Sequence, residues 1–85
     1  MSEERILVAY VGRQRRDRNL LMVRLESLDG YKESFEHHGD VAYLAERLRS
    51  LRTRRNLIFV IGNYDQDVVP LSENEKTYLL GLIRK

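Results

Sequence analysis

An α/β (α+β) domain with the element order β-β-β-α-β-α is what this 85-residue sequence predicts. Three observations carry that expectation. Two runs, 6–11 (Ile-Leu-Val-Ala-Tyr-Val) and 57–61 (Leu-Ile-Phe-Val-Ile), are apolar without alternation, as in strands covered on both faces. Between them, residues 20–26 alternate, with Leu21, Val23 and Leu25 on one face and Met22, Arg24 and Glu26 on the other. Two further stretches repeat apolar residues at helical spacing behind capping signatures.

Taken in order, residues 5–11 form the first strand, ending at Gly12, and a polar loop at 12–18 leads to a second strand at 19–28. Asp29-Gly30 is a hairpin turn signal, because both residues tolerate the backbone angles of a tight turn. The third strand, 31–37, sets Tyr31 and Phe35 inward among charged neighbours, a composition suited to a protected edge. Asp40 is a good N-cap for a helix whose Val41, Leu44, Ala45, Leu48 and Leu51 share one face. The fourth strand, 57–61, ends in Gly62-Asn63. After a loop at 64–71, the capping box Ser72-Glu73-Asn74-Glu75 opens a helix expected to bury Tyr78, Leu79, Leu82 and Ile83.

Two hairpins make the first and third strands parallel, and a right-handed crossover through the first helix makes the fourth parallel to them. A mixed four-stranded sheet of order 3-2-1-4 with two helices satisfies these constraints. Two helices cover one face of such a sheet, so the apolar far sides of the first and fourth strands need cover. Two arrangements would supply it: a homodimer through the open face or the fourth strand's edge, or the second helix and loop 62–71 wrapping round. In topology the order resembles the first part of the ribonuclease H-like fold. That family needs an aspartate on the first strand for metal binding, and residues 5–11 contain none, so no residue is carried across.

Eighty-five residues suit one domain spanning 1–85, since two cores could not each be filled. There is no cysteine, which excludes disulfides and thiolate metal sites and leans towards an intracellular setting. The acidic start and short first apolar run predict a cytoplasmic chain, with neither a secretory leader nor a membrane span. Net charge is +2, with twelve arginines against three lysines. Such a bias suits phosphate recognition by planar guanidinium groups, and it also follows from a GC-rich or thermophilic source.

Four arginines, Arg13, Arg15, Arg16 and Arg18, crowd the first hairpin loop, where they could reach phosphates or form a solvated tip partly compensated by Asp17. Arg49, Arg52, Arg54 and Arg55 form a second basic patch along the first helix, equally readable as a solvated face that complements the helix dipole. The parallel strands bring the arginine loop, His37, His38, Asp40, Asn63, Tyr64, Asp65 and Asp67 to one sheet edge, where open α/β sheets bind ligands. His37, His38, Asp65 and Asp67 are candidate metal ligands, although neighbouring histidines on a strand point to opposite faces and the spacing matches no metal motif. Tyr64, in a polar loop, is placed to stack on a base or anchor a partner. The other tyrosines fall at positions where core is the ordinary role. There is no glycine-rich phosphate loop and no nucleophile elbow.

The leading expectation is a small non-catalytic protein that contacts a nucleic-acid phosphate backbone through the arginine loop and first helix, without a cofactor. The alternative is a protein-interaction module, an adaptor, regulatory subunit or inhibitor of the kind mobile elements encode, whose marker is an uncovered apolar face or a dimer. The third is a metal-dependent nuclease using His37 or His38 with Asp65 and Asp67.

Overall fold

A computed structural model describes residues 5–27, 30–52, 57–65 and 67–84. Their elements are β1 (Arg5–Arg13), β2 (Leu20–Ser27), β3 (Lys32–His38), α1 (Val41–Arg52), β4 (Leu57–Asn63), β5 (Val69–Pro70) and α2 (Glu73–Arg84). The main sheet runs β3-β2-β1-β4, the predicted order, with β5 joined to β1. β1 pairs antiparallel with β2 and parallel with β4, placing Leu7 beside Phe59 and Ala9 between Leu25 and Ile61. β2 in turn pairs antiparallel with β3, with Val23 opposite Phe35 and Leu21 opposite His37.

This register puts the strands' buried apolar side chains on one face. Leu7, Ala9, Val11, Leu21, Val23, Leu25 and Phe59 share a buried cluster with Val41, Leu44, Ala45 and Leu48 of α1 and Leu79 and Ile83 of α2. Both helices therefore lie on that face, and the fold has two layers. Each helix starts as its sequence implies. The Asp40 side chain accepts from the Tyr43 amide at 3.0 Å. Ser72 and Glu75 complete the capping box reciprocally: the Ser72 amide donates to Glu75 Oε1, and the Glu75 amide donates to Ser72 Oγ, each at 3.2 Å. The turn from β3 into α1 passes through Gly39 at φ +124°, an angle that a side chain at this position would strain.

Several boundaries and burials differ from expectation. β1 runs two residues past Val11: Gly12 and Arg13 pair with Met22 and Leu21 of β2 on one side and with Pro70 and Val69 of β5, a strand the sequence reading leaves as loop, on the other. β4 continues through Gly62 to Asn63. Tyr31 is exposed rather than inward, its hydroxyl donating to Glu33, while Phe35 is half-buried. Tyr78 is exposed as well, so α2 buries Leu79 and Ile83 and only half-buries Leu82. Tyr43, 68% exposed, also leaves the core. Leu51, expected on the buried face of α1, has a side chain outside the described set.

Candidate interaction surfaces

The strand directions bring the C-terminal ends of β1, β3 and β4 to one edge, and the loops there bind one another. Within the hairpin loop, the Gln14 amide donates to the Leu20 carbonyl and the Leu20 amide to the Asp17 carbonyl, both at 3.0 Å. Two of the loop's arginines are engaged by the opposite end of the chain. Arg13, within β1, forms a hydrogen-bonded ion pair with Glu75 at the start of α2. Arg15 Nε donates to the Asp67 carbonyl at 3.1 Å. Arg16 and Arg18 are exposed near the tip, as is Asp17 between them. The Arg13 hydrogen bond, helped by the contacts with Ser72, holds the Glu75 carboxyl below its ordinary range against the opposing effect of burial.

The second basic patch is only partly described. Arg49 is exposed and lines an open groove of about 350 Å³ with Asp40, Tyr43, Glu46 and Leu82. The Arg52 side chain and the whole of Arg54 and Arg55 lie outside the described residues. α1 starts at the edge that carries the hairpin loop and runs away from it, so its later arginines move away from Arg16 and Arg18. Arg47 sets its guanidinium 4.0 Å from the centre of the Phe35 ring, shielding the outer flank of β3.

The metal candidates are separated by the sheet. His37 is buried on the helix side, opposite Leu21, whereas His38 is exposed. Asp65 turns to the other face, with Oδ1 3.6 Å from Arg24 Nη1, and Asp67 is exposed in the following turn. No group of three or more His, Asp or Glu side chains suited to a metal ion occurs among the described residues.

His37 is instead a buried titratable group. Its Nε2 has no hydrogen-bond partner, and the Tyr43 ring is centred 6.2 Å away, tilted against it. Burial first, then the charge of Arg47, lower its pKa from the ordinary 6.5; Asp40 opposes this and His38 adds slightly to it. A histidine held neutral by the fold contributes stability above the unfolded-state value of 6.5. That contribution declines as pH falls through this value towards the lower folded-state value. Thermal melts from about pH 7.5 to 5 are therefore expected to show a loss of stability that His37→Leu reduces, and equal slopes in both proteins would refute the assignment.

The face of the sheet away from the helices has a polar half and an apolar half. In the polar half Arg24 is sandwiched between two tyrosines, its guanidinium carbon 4.9 Å from the Tyr10 ring centre and 5.1 Å from that of Tyr64. Arg24 Nε lies 2.7 Å from Glu26 Oε2 without being aligned to donate to it, so this contact is an ion pair and not a hydrogen bond. Tyr64, expected as a free stacking platform, is thereby half-buried against its own chain. Beyond it, buried Val68 packs over Gly12. Tyr64, Asp65 and Val68 thus cover this face only at the C-terminal end of β1, and α2 stays with α1 on the other side.

The apolar half is uncovered by the described residues. Ile6 and Ile58 are cross-strand neighbours, as are Val8 and Val60. Ile6, Ile58 and Val60 remain 42%, 40% and 45% exposed. They form one strip beside the outer edge of β4, which pairs with β1 alone among the described strands. The excess of apolar residues in 6–11 and 57–61 is the sequence signal for this strip, although the sequence does not say how far the loop reaches. No family model, curated protein or solved structure matches the chain. The surfaces alone carry the functional argument. No described helix is long and apolar enough to cross a membrane.

Proposed function

We propose that this chain is a protein-interaction module that binds its partner through the open apolar strip of Ile6, Ile58 and Val60 and the adjoining edge of β4. The observation that carries the reading is this contiguous exposure of three large aliphatic side chains next to a strand edge. Single exposed apolar residues are ordinary on a protein surface, but a contiguous strip marks a contact site, and an unprotected edge offers hydrogen bonds to an added strand. Arg24, clamped by Tyr10 and Tyr64 and paired with Glu26 and Asp65, would form the polar rim of such a site.

A photo-crosslinking residue at position 60, compared with one at the highly exposed Glu73, tests the reading in the native cell. Protein adducts are expected at 60 and not at 73, whether the partner is another protein or a second copy. Equal adduct yields at the two positions would sink it.

A second reading, contact with a nucleic-acid backbone, is favoured by the exposure of Arg16 and Arg18 on a loop whose base is held by Arg13 and Arg15. It predicts binding that weakens between about 50 and 200 mM salt, with a shallower salt slope after Arg16→Ala plus Arg18→Ala. No binding at the lower salt would remove it and leave these arginines as a solvated tip.

A further inference from the structure

We infer that the partner of the β4 edge is a second copy of this chain, with two β4 strands pairing antiparallel about a two-fold axis that passes beside Val60. This inference rests on the interaction reading above and names its occupant.

Charge is the first argument. β1, β2 and β3 each carry ionisable side chains, whereas Leu57–Asn63 carries none. Edges that must stay unpaired are usually guarded by charge, proline or a bulge, and this edge has no charge and no proline. A two-fold axis brings each strand against itself, so any charged residue near the axis would meet its like. An uncharged strand is free of that repulsion.

Shape is the second argument. With Val60 on the axis, Val60 faces Val60 of the copy, and each Ile58 faces Gly62 of the copy. The Gly62 position is already roofed by its own chain: a Cβ built there would lie 2.9 Å from Cδ1 of the Tyr10 ring. Tyr10 thus supplies the bulk that Gly62 lacks, and Ile58 of one copy would abut a tyrosine ring of the other. The two-fold axis repeats this contact on both sides of Val60. The pairing gives Ile58 and Val60 the cross-strand neighbours they lack on their outer side, and two β3-β2-β1-β4 paths merge into one continuous sheet.

Sedimentation of the full chain between about 5 and 200 µM is expected to show a mass twice that of the monomer at the upper end. Val60→Lys and Val60→Glu should each weaken the dimer by at least about tenfold, since each places like charges face to face at the axis. Circular dichroism should show both variants folded, because residue 60 is partly exposed in the single chain. An equimolar mixture of the two variants should recover the dimer, because lysine then meets glutamate. A wild-type chain that stays monomeric over the whole range overturns the second-copy proposal. If it does so while position 60 still crosslinks to another protein, the interaction reading survives alone. A mixture that remains monomeric, or single variants that dimerise like the wild type, would also overturn it.

Discussion

Truncating Leu44 to alanine is expected to lower the unfolding free energy by about 2–5 kcal/mol, the range found when a large aliphatic side chain is removed from a close-packed interior. Leu44 has no exposed surface and lies in the buried cluster that joins α1, α2 and the sheet. Helices on this scale owe most of their stability to the face they bury, so the cavity weakens α1 as well as the sheet beneath it. The neighbouring Tyr43→Ala removes more atoms from a side chain that is mostly in solvent, and should change stability by no more than about 0.5 kcal/mol. Urea unfolding of the two variants checks the contrast. Equal effects would mean that α1 is rotated from the position described.

Gly12→Ala should cost about 1–3 kcal/mol through overpacking. A Cβ at this position would stand 3.1 Å from Cβ of Tyr64, and closer still to Cγ2 of the buried, β-branched Val68, which has little freedom to turn away. Here the glycine is required by close approach of the loop and not by an unusual φ. Combining Gly12→Ala with Val68→Ala should recover part of the loss, because the second change removes the atom struck by the first. A double-mutant cycle with no coupling between the two would show that the loop does not rest on Gly12.

Much of this architecture was legible because it rests on local rules. The alternation at 20–26 and the caps at Asp40 and Ser72 each act within a few residues, and with a right-handed crossover they lead to the strand order; Asp29 of the turn signal lies outside the described residues. The exposed tyrosines were misread although the information was present. Tyr43 lies off the stripe of Val41, Leu44, Ala45 and Leu48, and its aromatic character outweighed its angular position on the helix. β5 escaped because two residues, one a proline, make no periodic pattern; it exists only because β1 offers it a place above the end of β4.

The candidate site was harder to read for a different reason. Arg13 looked like a loop arginine, yet its partner Glu75 lies 62 residues further along the chain. No spacing rule reports such a pairing. Arg24 passed as an ordinary outward residue of β2, because its tyrosine neighbours come from β1 and from the loop after β4. What a cation does in this domain is decided by tertiary contacts, and the number of arginines in a segment overstates how many can meet an external ligand.

The position of β1 has a further consequence. On one side it holds β2, and through it β3; on the other it holds β4 along most of its length and β5 at its end. Every hydrogen-bonded link in the sheet between the strands of residues 20–38 and those of residues 57–70 passes through this strand. Excising 5–13 would therefore leave the two halves with no strand pairing between them, and the chain is expected to lose its structure in a single cooperative step.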